Sequence, residues 1–260
     1  MSEYQRIHYG VHGAIATLTL NRPEKRNALD DLTLRELAEA FELASQEDGI
    51  RVIVLRGAGP DFCAGADLDQ LERMAATSDP LANMDDAATI GNLLIRMRQL
   101  PRPIVAAVHG NVFAGGAGLA TACDLVIATN SAKLSYTEVK LGFVPAMVMA
   151  LLKRVVGEKV AFELTTLGTV IPALEAQRLG LFNRVVADAE LDREVQALAD
   201  ELATRSASAL QLIKRLLYDT DGFTFDQAVR RGIEVNTLAR LTPDCRQGVQ
   251  QFLAGRKRKS

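Results

Sequence analysis

The first half of the chain alternates between short apolar segments and longer amphipathic ones. Residues Ala14–Leu20 alternate apolar side chains with threonine, and Ile50–Leu55 is a β-branched run, so both segments predict strands. Between them, Asp30–Glu47 repeats its apolar residues at helical spacing, and Asp30 and Asp31 can cap the start of this predicted helix. Strands that alternate with helices in this way favour an α/β core.

The alternation continues through the middle of the chain. A helix is predicted at Asp86–Leu100, and short buried strands are predicted at Ile104–Val108 and Leu125–Ala128. The polar stretch Ala76–Asp86 contains Ser, Pro and Asn, and we expect it to be the most mobile loop of this half.

From Pro145 onward the pattern becomes mostly helical, and only Asn183–Val186 predicts a further strand. The predicted helices are Ala146–Val155, Glu158–Leu167, Pro172–Leu179, Leu191–Arg205, Ala209–Tyr218, Phe225–Leu238 and Pro243–Leu253. Because no low-complexity linker separates the two halves, we expect an α/β core continued by a helical C-terminal region.

Composition and charge exclude several classes of partner. The chain has 260 residues, of which 48% are hydrophobic and 24% charged, as in ordinary globular proteins. Its 30 basic and 32 acidic residues give a net charge of −2, which lacks the basic excess of a dedicated nucleic-acid-binding protein. The longest apolar stretch, near Val144–Leu152, is too short to cross a bilayer, and the polar N-terminal residues do not resemble a signal peptide. We therefore expect no nucleic-acid or membrane partner and a cytoplasmic location.

Cysteines, histidines and known ligand-binding motifs give little further chemistry. The chain has three cysteines, which are Cys63, Cys123 and Cys245. Because this number is odd and their spacing is not that of metal ligands, the sequence predicts neither disulfides nor a metal site. The segment Gly116–Thr121 approaches a dinucleotide-binding fingerprint, but it ends in Thr, and no βαβ unit with an acidic strand end follows it. A nicotinamide-dependent oxidoreductase is therefore a disfavoured alternative.

Two loops rich in Gly and Ala lie between a strand and a helix, at Phe62–Asp67 and at His109–Ala120. Small residues let a ligand approach the backbone, and the first turn of a helix presents unpaired N–H groups. Two such loops facing one another could each give one N–H to a developing negative oxygen, which is an oxyanion hole. Taken alone, each loop is better explained as a tight turn that packs a helix against a strand.

Five segments follow one another in a specific order along nearly the whole chain. They are NRPEKRNALD (Asn21–Asp30), FCAGADL (Phe62–Leu68), RPIVAAVHGNVFAGGAGLATACDLVIAT (Arg102–Thr129), AKLSYTEVKLGFVPA (Ala132–Ala146) and EAQRLGLFNRVV (Glu175–Val186). Together they resemble the enoyl-CoA hydratase/isomerase (crotonase) family. Each motif alone is weak, but five in the right order and spacing are specific.

The resemblance implies both an architecture and an assembly. It implies an α/β fold, the crotonase-like spiral of ββα units, with a catalytic core over residues 1–190 and a helical C-terminal region over residues 191–260. Family members are usually trimers or dimers of trimers, so we expect a homo-oligomer. Their C-terminal helices can reach a neighbouring subunit's CoA site, which makes Phe252 and Lys257 candidate ligand contacts in trans.

The resemblance also implies the substrate and the groups that bind it. Family members bind acyl-CoA thioesters and hold an enolate oxygen between two backbone N–H groups, which correspond here to Ala66 and Gly115. The coenzyme A is carried by the substrate, so no separate cofactor is expected. The implied substrate-binding and CoA-binding residues are Lys25, Arg26, Ala64, Gly65, Asp67 and Gly118. An exposed basic turn explains Lys25 and Arg26 almost as well as a phosphate site does.

The acid/base residues of the family are only partly present. Hydratases of this family use two glutamates; the second corresponds to Glu138, whereas Gly118 stands at the first. A single carboxylate can still move a proton from one carbon to another, so we slightly favour double-bond isomerisation over hydration. Tyr136 could compensate for the missing glutamate in a hydratase, and a non-catalytic acyl-CoA-binding protein is the alternative from another class. We expect Asp67 and Asp124 to orient the loops through caps and hydrogen bonds.

Overall fold

The structure, a computed structural model, describes residues 4–257, with side chains for residues 4–254. The strands are β1 (Ile7–His12), β2 (Ile15–Leu20), β3 (Val52–Gly57), β4 (Ile104–Val108), β5 (Asn111–Phe113), β6 (Leu125–Thr129), β7 (Lys133–Ser135), β8 (Ile171–Pro172) and β9 (Arg184–Val186). The helices are α1 (Asp31–Gln46), α2 (Leu68–Ala76), α3 (Pro80–Gln99), α4 (Gly115–Ala122), α5 (Ala146–Val156), α6 (Glu158–Leu167), α7 (Ala173–Arg178), α8 (Leu191–Thr204), α9 (Ala207–Asp219), α10 (Phe225–Leu241) and α11 (Pro243–Lys257).

A six-stranded sheet in the order β1-β2-β3-β4-β6-β9 forms the centre of the fold. Strand β1 runs antiparallel to β2, and the pairs from β2 to β9 are parallel. A smaller sheet in the order β5-β7-β8 lies beside it. Because parallel strands end at the same edge of a sheet, the loops that follow β3 and β4 emerge next to each other.

The central sheet is buried on both faces. Strand β3 shows this burial on both faces. Ile53 and Leu55 join the main core on one face, whereas Val52 and Val54 pack with a second cluster on the other. That second cluster includes the buried side of α8, with Val195 among its members. A sheet of parallel strands covered on both faces is the usual arrangement in α/β proteins.

The described residues confirm the α/β core followed by a helical C-terminal region. Asp30 caps α1 as predicted, because its Oδ1 accepts a hydrogen bond of 2.7 Å from the Thr33 N–H. None of the helices that the structure describes is long and apolar enough to cross a bilayer. The division at residue 191 stays a prediction.

The prediction of a loop over Ala76–Asp86 is wrong, because α3 begins at Pro80. The residues that suggested a loop start this helix instead. The Asp79 side chain accepts a hydrogen bond of 2.9 Å from the Leu81 N–H, and Pro80 occupies the first helical position, where its missing N–H costs nothing.

Asp124 joins the C-terminal helices to the sheet. Its carboxylate accepts hydrogen bonds of 2.7 Å each from the Ile104 N–H, the Lys214 ammonium and the Tyr218 hydroxyl. Lys214 and Tyr218 lie on α9, and Asp124 lies just beyond the end of α4. Asp124 therefore fixes α9 against the start of β4, and these three hydrogen bonds do not reach the glycine loops that it was expected to orient.

Candidate active site

The two glycine loops are in direct contact. The first loop runs beside β5, because the Cys63 N–H donates to Asn111 O at 3.1 Å and Cys63 O accepts from the Phe113 N–H at 2.9 Å. Gly65 has a φ of +99°, and a Cβ placed on it would lie 2.8 Å from the Ala114 Cβ and 3.4 Å from the Gly115 nitrogen. Only glycine therefore permits this close approach.

The N–H groups of Ala66 and Gly115 are both left without a protein acceptor among the described residues. Leu29 forms a parallel bridge with Ala66, because its N–H donates to Gly65 O at 2.8 Å and its O accepts from the Asp67 N–H at 2.9 Å. In such a bridge the middle residue turns its own N–H away from the partner strand. Gly115 is the first residue of α4, where an N–H has no intrahelical partner. The contact of Gly65 with Gly115 thus brings the loops that carry these two predicted donors side by side.

Ala114 directs the chain into α4 through a strained backbone conformation. Its φ of +47° and ψ of −120° are unusual for a residue with a Cβ and cost about 1–3 kcal/mol. The surrounding hydrogen bonds hold it there, including one of 2.9 Å from its N–H to Ser135 O at the end of β7. Strain of this kind concentrates at functional sites, where surrounding structure enforces it.

Glu138 is a buried carboxyl at the start of the 3₁₀ turn Glu138–Leu141. It is 9% exposed, and its Oε2 has no hydrogen-bond partner among the described residues. Burial raises the pKa of Glu138 above its usual value, and a backbone hydrogen bond offsets only part of this shift. A buried carboxyl with one unpartnered oxygen and a raised pKa is suited to accept a proton and return it.

Gly118 lies on α4 one turn after Gly115 and is covered by an apolar side chain. A Cβ at this position would lie 2.6 Å from Val148 Cγ2 on α5. Gly115 also has apolar neighbours, because a Cβ added there would lie 3.2 Å from Leu29 Cδ1 and 3.6 Å from Ile90 Cδ1. Gly118, at the position of the missing glutamate, is therefore packed against an apolar side chain.

The Tyr136 hydroxyl and the Cys63 thiol are both held in the interior. The Tyr136 side chain is fully buried, and its hydroxyl is hydrogen-bonded to Thr121 Oγ1 at 2.8 Å. Burial raises the pKa of Tyr136, and burial also raises the pKa of the Cys63 thiol to about 12. Both groups therefore stay protonated near neutral pH, which makes them poor bases or nucleophiles.

Lys25 and Arg26 lie beside the first glycine loop, since the Ala64 N–H donates to Arg26 O at 3.0 Å. Their side chains are largely exposed, and each cation is 4.0 Å from a carboxylate, Asp69 for Lys25 and Asp61 for Arg26. Cations so weakly paired remain available to a phosphate, and the assignment of both residues to CoA stays a prediction.

Asp67 is turned inward. Its Oδ1 caps α2 by accepting from the Asp69 N–H at 2.9 Å, and its Oδ2 lies 2.7 Å from Arg22 Nη2. Burial acts to raise the pKa of Asp67, but the hydrogen bonds from Arg22 and Asp69 outweigh it and lower that pKa. The sequence prediction did not include Arg22, because its partner Asp67 is far away along the chain and no local pattern links the two residues.

The candidate contacts in trans are only partly described. Phe252 lies exposed on α11, whereas the Lys257 side chain lies outside the described residues.

Comparisons with known proteins agree with this geometry. The family model described as enoyl-CoA hydratase/isomerase matches residues 10–259. A Thermus thermophilus protein provisionally named an enoyl-CoA hydratase is 40% identical over 244 residues, which cover 94% of this chain and 96% of the relative. The 1,2-epoxyphenylacetyl-CoA isomerase of Escherichia coli is 36% identical over 257 residues, covering 98% and 97% of the two chains.

A solved enoyl-CoA hydratase from Mycobacterium smegmatis superposes with a TM-score of 0.91 at 31% identity, covering 96% of this chain and 97% of the other. This likeness confirms the crotonase fold with its C-terminal helical region. With the sequence matches, it identifies the protein as an enzyme that processes acyl-CoA thioesters. The chain belongs to the enoyl-CoA hydratase/isomerase family.

Proposed function

We propose that the protein isomerises the double bond of an unsaturated acyl-CoA thioester, with Glu138 moving the proton. The observation that carries this proposal is the contrast between two positions. Glu138 is a buried carboxyl without a partner for its Oε2 among the described residues, whereas Gly118, which matches the first glutamate of hydratases, is covered by Val148. One carboxylate is sufficient to transfer a proton between two carbons of the same substrate.

The reaction uses the N–H groups of Ala66 and Gly115 and the carboxylate of Glu138. Starting from a 3-enoyl thioester, ionised Glu138 removes a proton from C2, and the electron pair delocalises onto the thioester oxygen as a dienolate. The N–H groups of Ala66 and Gly115 hold that oxygen, a type of contact for which each donor is worth about 100- to 1000-fold in rate. Glu138 then returns the proton to C4, which gives the 2-enoyl thioester and restores the carboxylate.

Hydration of a 2-enoyl thioester is the second candidate, favoured by the hydratase name of the Thermus thermophilus relative. Hydration needs one group to hold and activate water and another to manage its protons. The apolar contact between Gly118 and Val148 provides no such second group. This contact favours isomerisation.

The remaining parts of the proposal concern CoA and assembly. Lys25 and Arg26 contact the phosphates of CoA, while the backbone of Ala64 and Gly65 runs along the bound thioester, and no further cofactor is required. The protein assembles as a homotrimer or a dimer of trimers through its C-terminal helices. Exposed apolar side chains on these helices, such as Phe225 and Ile233, support this part of the proposal.

The test supplies 2-enoyl-CoA and 3-enoyl-CoA esters to the purified protein and identifies the products by mass and chromatography. Isomerisation leaves the mass unchanged, whereas hydration adds one water. We expect Glu138→Gln to lower turnover at least about 100-fold with little change in ester binding. The matched control is Glu163→Gln, at an exposed position on α6, which should behave as the wild type. A wild-type protein that only adds water, or an active Glu138→Gln variant, would contradict the proposal.

A further inference from the structure

Arg22 places a guanidinium group in the interior beside the first glycine loop. Its side chain is 8% exposed. Nη1 donates to Ala28 O at 2.7 Å and lies 3.3 Å from Asp30 Oδ2, while Nη2 lies 2.7 Å from Asp67 Oδ2. A planar guanidinium can serve acceptors on several sides at once, which an ammonium cannot do with the same geometry.

The partners of Arg22 flank the bridge that orients Ala66. Asp67 follows Ala66 directly, and Leu29 lies between Ala28 and Asp30. Leu29 in turn is hydrogen-bonded to both Gly65 and Asp67. Arg22 therefore holds both sides of the bridge whose geometry turns the Ala66 N–H away from Leu29.

We propose that Arg22 is a positioning residue that fixes the direction of the Ala66 N–H through Asp67 and the Ala28–Asp30 backbone. This inference rests on the oxyanion-hole part of the proposed function and is independent of whether the product is an isomer or a hydrate. A hydrogen-bond donor stabilises an enolate only when it is aimed at the oxygen. A misplacement of about 1 Å costs about 100-fold in rate.

A positioning role and a merely structural one predict different changes. Loss of general stability lowers the amount of folded protein, but folded molecules keep their turnover number. A misdirected Ala66 N–H instead lowers kcat in folded protein with little effect on KM, because the loss falls on the transition state. It also polarises the bound thioester less, so the stretching frequency of the carbonyl shifts less on binding.

Three variants separate these possibilities. Arg22→Met removes the guanidinium. Asp67→Asn keeps the Oδ1 that caps α2, but replaces the Oδ2 facing Arg22 with an NH₂ group, so it remains informative if Arg22→Met does not fold. Arg6→Met is the matched control, because Arg6 Nε lies 3.2 Å from Asp30 Oδ2 and pairs with the same aspartate as Arg22.

The experiment measures kcat and KM together with the infrared carbonyl frequency of a bound saturated acyl-CoA that carries ¹³C at the thioester carbon. We expect Arg22→Met and Asp67→Asn to lower kcat about 10- to 100-fold, to change KM less than about threefold, and to reduce the carbonyl shift. Arg6→Met should retain the wild-type kcat and shift.

Two results would overturn the inference. One is a folded Arg22→Met or Asp67→Asn variant with wild-type kcat and carbonyl shift. The other is an Arg6→Met variant with the same losses as Arg22→Met, which would assign the effect to Asp30 and α1. Because the saturated ester is not turned over, the carbonyl shift remains a valid measurement even if the wild-type protein is a hydratase.

Discussion

The contact between Gly118 and Val148 predicts how the protein responds to restoring the missing glutamate. The variant Gly118→Glu places a carboxylate on α4 at the position that matches the first glutamate of hydratases. Its Cβ would lie 2.6 Å from Val148 Cγ2, closer than two carbon atoms approach without a shift of the structure. The single variant therefore cannot place its carboxylate without displacing α5 or the Val148 side chain.

The loss of folding free energy in Gly118→Glu can be bounded from the typical magnitudes of two effects. Overpacking a buried site costs about 1–3 kcal/mol, and the better helix propensity of Glu over Gly returns less than about 1 kcal/mol. For a chain of this size, 1 kcal/mol corresponds to a change in Tm of about 2–4 °C. Val148→Ala removes two buried carbon atoms at about 0.8 kcal/mol each, and in the double variant the glutamate side chain introduced on α4 refills part of that space.

The assay compares Gly118→Glu, Val148→Ala and the double variant Gly118→Glu/Val148→Ala with the wild type on a 2-enoyl-CoA ester. Mass spectrometry measures the hydrated product and thermal melting measures Tm. We expect a lowered Tm and no gain of hydration for Gly118→Glu, no gain for Val148→Ala, and a clear gain only for the double variant.

Two outcomes would refute this reasoning. A Gly118→Glu variant with wild-type Tm and increased hydration would show that Val148 does not obstruct the position. A folded double variant without added hydration would show that the absent carboxylate is not what separates this site from a hydratase.

Other parts of the site give further expectations. Because burial raises the pKa of Glu138 above the ordinary 4.5, the folded chain binds this proton more tightly than the unfolded chain, and the ionised carboxylate destabilises the fold at neutral pH. Glu138→Gln should therefore raise Tm at neutral pH but not below about pH 4.5, where both states are protonated; an unchanged Tm at neutral pH would contradict this. Gly65→Ala should lower kcat about 100-fold or prevent folding. Gly10→Ala, whose added Cβ has no atom within 4 Å, is the control and should leave kcat and Tm unchanged. Replacing both Lys25 and Arg26 with Ala should raise KM for CoA esters and weaken its dependence on salt, while KM for the corresponding pantetheine thioesters, which lack the nucleotide, stays the same.

The fold class and the two glycine loops could be predicted from the sequence because their signals are local. Alternating apolar residues marked β2, and Gly and Ala between a strand and a helix marked the loop around Gly65. The start of α3 was missed because Asp79 and Pro80 are equally common in loops and at helix starts, and tertiary packing decides between the two. Strand β1 was not predicted, because Ile7 is its one buried residue and the strand therefore lacks the alternation of apolar and polar positions.

Arg22 and Val148 show why the rest of the site could not be predicted in the same way. Arg22 stands in a charged turn beside Lys25 and Arg26, and its burial depends on Asp67, which is far away along the chain. Val148 is one of several apolar residues of α5, and only the packing of α5 on α4 shows that it covers Gly118. Both depend on which elements meet in space, a property that no single segment encodes.

The two proposed donors are main-chain groups, and this has a consequence for how the protein tolerates change over evolutionary time. Ala66 is exposed, so most substitutions there leave its N–H in place, and proline alone would delete it. The pair of N–H donors is thus kept as long as the backbone keeps its conformation, whichever side chains it carries. Substitutions at surrounding positions such as Gly118, Glu138 and Val148 can then redirect the reaction while the capacity to stabilise an enolate is kept.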